Sequence, residues 1–85
     1  MKNYIQILVV MIQENKEYTR KEIVARTILT LEQVHGSLRF LKKCNFVNFR
    51  YVKTDSKPYR KVLYSLNMDK DEKILKLVSK EVNLV

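Results

Sequence analysis

The 85-residue sequence predicts an α+β domain, mainly helical, with helices at both ends and one two-stranded hairpin between them. Three observations predict it. Apolar residues recur at three- and four-residue steps through 3–14, 20–44 and 68–82, the period of packed helices. Thr19 and Thr30 each precede a Glu or Gln by three positions, which marks two closely spaced helix starts. After Asn45 the period drops to two, so 47–66 reads as paired strands. Hydrophobic content of 46% with 31% charged residues fits one globular domain over 1–85, and a single Gly and a single Pro leave no flexible linker.

The first helix, 3–14, is apolar almost all the way round, through Tyr4, Ile5, Ile7, Leu8, Val9, Val10, Met11 and Ile12. Such a helix is buried on more than one side. In so small a domain this predicts a second layer supplied by another subunit. The other reading is a central core helix in a monomer, and the β-branched run makes a strand the weaker alternative. Glu17, Tyr18 and Thr19 form a short extended connector. A second helix runs from Arg20 to about Thr27, capped by Thr19 and Glu22, with Ile23, Val24 and Ala25 facing inward.

Ile28 to Thr30 then turns the chain into a third helix. Its apolar seam is Leu31, Val34, Leu38 and Leu41, and Thr30 with Gln33 forms its capping box. The opposite face carries Glu32, Gln33, Gly36, Arg39, Phe40 and Lys43, with His35 near its edge. Asn45 tolerates the left-handed backbone that commonly ends a helix. Two short helices across a tight turn, each with its own cap, constitute a helix-turn-helix signature over 20–44.

In the hairpin, Val47, Phe49 and Tyr51 alternate with Asn48 and Arg50, and Val62, Tyr64 and Leu66 alternate with Leu63 and Ser65. The turn formers of 54–59 join them. Asn67 or Asp69 caps a last helix, 68–82. Its apolar residues Ile74, Leu75, Leu77, Val78, Val82 and Val85 make a stripe wider than one small core needs, which predicts dimerisation through the first and last helices.

The formal charge is +8, and its distribution says more than its sum. Eight basic residues (Arg39, Lys42, Lys43, Arg50, Lys53, Lys57, Arg60 and Lys61) stand between positions 39 and 61 against one acid, Asp55. Focused positive charge is the footprint of a polyanion partner. Cys44, the single cysteine, excludes an internal disulfide and suits a reducing compartment; it can pair only between subunits. The apolar run from Tyr4 to Ile12 is too short to span a bilayer, and no small-residue cleavage site follows it. These features predict an intracellular protein. No paired carboxylates in an apolar setting, no Ser/His/Asp or Cys/His set and no metal-ligand cluster is visible, so neither an enzyme nor a cofactor is expected.

The order helix, short strand, helix, turn, helix, hairpin, helix resembles the winged helix-turn-helix family of transcriptional regulators. The pattern Val34, Leu38, Leu41, Asn45, Val47 carries the resemblance, with Asn45 where Gly is usual. Leu66-Asn67 looks like the Leu-Thr that closes the second wing strand in that family, and Ala25 like its small residue packed inside the first helix of the motif. The turn from Ala25 to Val34 is one residue shorter than the usual spacing and lacks Gly. The resemblance spans roughly residues 18–67. It implies a DNA-binding repressor or activator, often a homodimer, although some members are only protein-docking modules.

On that footing the candidate DNA-binding residues are Thr30, Gln33, His35, Gly36, Ser37, Arg39, Lys43, Lys53, Lys57, Tyr59, Arg60 and Lys61. Arg39 can meet guanine bidentately and Lys43 can neutralise a phosphate, where the bland reading is a solvated helix face. Gly36 costs a mid-helix position about 1 kcal/mol relative to Ala, and either close approach to DNA or close helix packing explains it. Gln33 can read adenine or serve only its cap; Glu32 favours the helix N-terminus more than a cytosine. Thr30 and Ser37 are candidate phosphate donors, and His35 can titrate against phosphate. Lys53, Lys57, Tyr59, Arg60 and Lys61 form a wing on the flanking backbone or minor groove, or merely protect a strand edge. Phe40 packs against the wing base or a partner. The alternative function is a module docking on an acidic protein. RNA is a weaker third, because no aromatic stacking sheet is evident.

Overall fold

A computed structural model describes residues 2–57 and 60–82. Helix α1 (Asn3–Gln13) is the axis of the molecule, and α2 (Arg20–Arg26), α3 (Leu31–Lys43), α4 (Asp71–Val82) and the second hairpin strand all pack on it. Ile5, Ile7, Leu8, Val10 and Met11 are buried, while Tyr4, Val9 and Ile12 lie half-buried against the same core. The chain thus covers most of the apolar circumference of its own first helix. Four elements of the same chain converge on this helix, which is the central-core-helix reading, while Tyr4, Val9 and Ile12 keep part of their surface open.

The connector is a single bridge, not a strand. Tyr18 exchanges two backbone hydrogen bonds with Tyr64, each 2.8 Å, and its buried hydroxyl donates to the Glu14 carbonyl at 2.6 Å. Both capping boxes close. The Glu22 amide donates to Thr19 Oγ1 at 3.2 Å while Glu22 Oε1 accepts from the Thr19 amide at 2.9 Å, and Gln33 and Thr30 repeat the arrangement at the same distances. Each cap contributes about 1 kcal/mol. In α2 Ile23 is buried and Val24 half-buried, but Ala25 is exposed, contrary to expectation. A helix of seven residues buries one narrow stripe, and Leu29 in the following turn fills the space instead.

The seam of α3 is Val34, Ser37, Leu38 and Leu41. Leu31 is 55% exposed, although its helical angle is right, because the core ends one turn below it. At the other end Asn45 takes φ 60°, its amide donates to the Lys42 carbonyl at 3.0 Å, and the Phe46 amide donates to the Leu41 carbonyl at 2.9 Å. This is a Schellman stop, with Asn in the place favoured by Gly. It aims the chain straight into β1 (Val47–Lys53).

β1 pairs antiparallel with β2 (Arg60–Leu66), in register from Val47 opposite Leu66 to Lys53 opposite Arg60. That register puts Val47, Phe49, Tyr51, Val62, Tyr64 and Leu66 on one face. The helices cover Val47, Tyr64 and Leu66, but the ribbon runs on past the core, leaving Phe49 45% and Tyr51 59% exposed. Asn67 locks the base of the hairpin. Its amide nitrogen Nδ2 donates to the Asn45 carbonyl at 2.7 Å, and its Oδ1 accepts from the Asp69 amide at 3.2 Å, capping a 3-10 turn (Met68–Lys70) ahead of α4. Ile74 is buried, Leu77 and Val78 half-buried, and Leu75 exposed. Val85 and the side chain of Val82 lie outside the described residues. Among the described residues no helix is long and apolar enough to cross a membrane.

Candidate nucleic-acid interface

The outer face of α3 divides along its length. On one flank Gln33, Ser37 and Phe40 turn toward the start of α1, lining a cleft with Lys2, Asn3 and Tyr4. Phe40 meets Tyr4 with ring centroids 4.7 Å apart, so it packs on α1, and it stays 44% exposed. Ser37 is only 9% exposed. It follows Val34 by three positions and shares the buried stripe, reaching the surface only at the edge of this cleft. Gln33 spends its carbonyl oxygen on the cap, and Thr30 accepts the Gln33 amide, so both act first as caps.

The other flank faces the hairpin. Gly36, Arg39, Phe40, Lys42 and Lys43 on α3, with Phe49 on β1, line an open groove of about 610 Å³. A methyl at Gly36 would meet no heavy atom within 4 Å, so close packing inside the chain does not explain this glycine. Its bare backbone opens onto the groove. The Lys42 ammonium lies 4.2 Å above the Phe49 ring, which holds it at the groove wall. His35, at the edge, places Nδ1 3.0 Å from the Arg20 guanidinium.

The hairpin tip is cationic on both strands. Lys53 stands directly opposite Arg60, and Lys61 opposite Val52. Like charges facing each other across a ladder are unfavourable unless an anion joins them. Lys53, Lys57, Arg60 and Lys61 are exposed; Tyr59 lies outside the described residues. Arg50 is different. Its guanidinium forks onto Glu17, with Nη2 2.7 Å from Oε1, and that hydrogen bond holds the Glu17 carboxyl below its usual range. The ion pairs among the described residues are Lys2–Glu81, Lys16–Glu14, Arg26–Glu14 and Arg50–Glu17. None involves Arg39, Lys42, Lys43, Lys53, Lys57, Arg60 or Lys61.

Sequence reasoning missed three features of this surface. Arg20 and Lys21 join Arg60 and Lys61 in a second cleft of about 340 Å³, between the start of α2 and β2. Two basic residues directly after the Thr19 cap were the available signal. Lys42 was counted in the basic segment but not placed at the groove. The hairpin also presents two exposed rings, Phe49 and Tyr51. Among the described residues no group of three or more His, Cys, Asp or Glu is placed to hold a metal ion.

No protein-family model matches the chain, and no curated protein matches it in sequence. Solved structures do match its fold. Bacillus subtilis PadR, solved in complex with operator DNA, superposes with a TM-score of 0.73 at 17% identity, over 88% of this chain and 45% of that one. The chain thus spans less than half the length of that regulator. A PadR-family transcription regulator from hypervirulent Clostridium difficile R20291 superposes with a TM-score of 0.68 at 23% identity, over 94% of this chain and 91% of that one. At these identities the likeness establishes the winged-helix fold.

Proposed function

We propose that this chain is a sequence-specific, duplex-DNA-binding transcriptional regulator acting inside the cell as a homodimer. The observation that carries the reading is the groove between α3 and β1: three cations, a bare glycine backbone and no carboxylate line it. A duplex presents its major and minor grooves on either side of one phosphate backbone. With α3 in the major groove and the hairpin reaching the minor groove or flanking backbone, that backbone strand would run along the channel between them. Arg39 would then read a base edge, Lys42 and Lys43 would neutralise phosphates, and Gly36 would allow the helix backbone its close approach. The cleft holding Arg20, Lys21, Arg60 and Lys61 suits phosphates beyond this channel.

Phosphate contacts would supply most of the affinity and base contacts the register. The similarity to a PadR solved with operator DNA supports this reading, as does the unpaired charge along one side. Dimerisation is assigned to α4 with the adjoining end of α1, where Ile12, Leu66, Met68, Ile74 and Leu75 line an apolar hollow of about 160 Å³ and Met68 and Leu75 are exposed. A two-fold dimer predicts a pseudo-palindromic site with half-sites about one helical turn apart.

Selection of binding sites from a random duplex pool at physiological salt tests the reading. The expected result is an enriched inverted repeat. Retention of DNA without an enriched sequence would overturn specific recognition, and no retained DNA would overturn DNA binding altogether.

A further inference from the structure

Phe49 and Tyr51 are large rings left uncovered on the outer part of the hairpin, and each has a cation on it. The Lys42 ammonium sits 4.2 Å from the Phe49 centroid and the Arg60 guanidinium 5.3 Å from that of Tyr51. The surface therefore repeats a unit, ring plus cation, twice along one strand. A nucleotide chain repeats the complementary unit, base plus phosphate. We propose that the Phe49–Tyr51 ribbon is a binding site for unpaired bases, taking two successive nucleotides of a single-stranded nucleic acid.

The spacing selects a single strand over a duplex. The two ring centroids are 6.1 Å apart and the planes stand at 88°, so the rings do not form one continuous platform. Successive bases in a duplex rise only about 3.4 Å and are already stacked on one another. They cannot meet two rings at this separation. An extended, unstacked strand can, because its bases are free to turn individually onto aromatic faces.

The cations then change partner. A surface cation–ring contact is weak and easily exchanged, so Lys42 and Arg60 can swing from the rings to the phosphates that arrive beside them. Neither is held by an ion pair among the described residues. The site borrows the cationic surface of the proposed regulator but not its base-reading residues, so strand capture and operator recognition are separable.

The test uses the full chain and three labelled probes: a single-stranded oligothymidine, the same backbone with abasic sites, and a random duplex of equal length. Binding is read by anisotropy and by quenching of intrinsic tyrosine fluorescence, since the chain has five Tyr and no Trp. Oligothymidine is expected to bind and quench, and the abasic strand to bind about tenfold more weakly. Tyr51→Leu, outside the groove proposed for the duplex, should weaken oligothymidine about tenfold and change random-duplex binding less than threefold. The Tyr51 side chain is 59% exposed, so the variant should keep the parent melting curve; the abasic comparison needs no variant at all.

Equal affinity for the abasic strand would overturn the proposal, as would equal losses for single strand and duplex. A variant that altered sedimentation but not strand binding would do so too, and would identify the ribbon as a face for a second copy of the chain. Duplex binding without strand binding would sink this inference alone. Loss of both would sink it together with DNA binding.

Discussion

Arg50 and Lys43 belong to the same basic stretch of sequence, yet the fold gives them opposite circumstances. Arg50 lies on the strand face opposite Phe49 and reaches Glu17, which forks onto its guanidinium. Lys16 and Arg26 are likewise matched, both by Glu14. Lys43 lies on the groove side of α3 with Arg39 and Lys42, and no carboxylate lines that groove. One side of the molecule thus neutralises its cations internally, while the other leaves them for a polyanion. The difference teaches that net charge alone is a poor guide to a binding face. What matters is which cations the fold has already satisfied.

The sharpest way to break this comparison is to remove the base-reading group on the unpaired side. Arg39→Ala should cost roughly 1–3 kcal/mol at one base position of the selected site and relax preference there. Competition among single-base operator variants measures it. A variant that ranked every sequence as the parent does would remove Arg39 from base readout. Next comes Gly36→Ala, whose two effects should have opposite signs. The new methyl meets nothing in the chain and improves helix propensity, so stability should rise by about 1 kcal/mol. DNA affinity should fall about tenfold, because the methyl occupies the channel wall. Melting and anisotropy on the same preparation read both, and unchanged affinity would show that DNA does not approach Gly36.

Much of this arrangement was legible in the sequence, and what was not has a physical cause. The caps at Thr19 and Thr30 and the stop at Asn45 are local, since each is made by residues within five positions, so spacing alone reveals them. The period of two fixed the hairpin face. Tertiary height and flank were not legible. A helical wheel gives Leu31 the right angle but not the knowledge that the core stops below it. It also puts Phe40 and Arg39 on one outer face, whereas Phe40 stacks on Tyr4 of α1 and Arg39 lies on the hairpin side. Nor does sequence say that Glu17, thirty-three positions away, satisfies Arg50.

A smaller effect compares the two kinds of cation directly. Lys57→Ala should weaken all duplex sequences alike and reduce the slope of log affinity against log salt by about one unit. Arg50→Ala should leave the slope unchanged, because Glu17 already holds that charge. Equal changes for the two variants would erase the distinction between the sides.

The smallest expected effect lies on the paired side itself and is read as stability against pH. The hydrogen bond from Arg26, with the charge of Lys16 beside it, lowers the Glu14 pKa, and the hydrogen bond from Arg50 lowers that of Glu17. In the unfolded chain both carboxyls return to the ordinary value of 4.5. As pH falls through that value the unfolded chain takes up protons first, so the linked stability is whole above it and disappears below the folded values. Both pairs are exposed and solvent screens them, so the change should be slight. Urea midpoints between about pH 6 and pH 3 for the parent and for the Glu14→Gln, Glu17→Gln double variant isolate it. The parent should lose stability on the acid limb more steeply than the variant. Parallel acid limbs would mean that these carboxylates neutralise the surface without stabilising the fold, and the contrast between the two sides would then be one of charge placement alone.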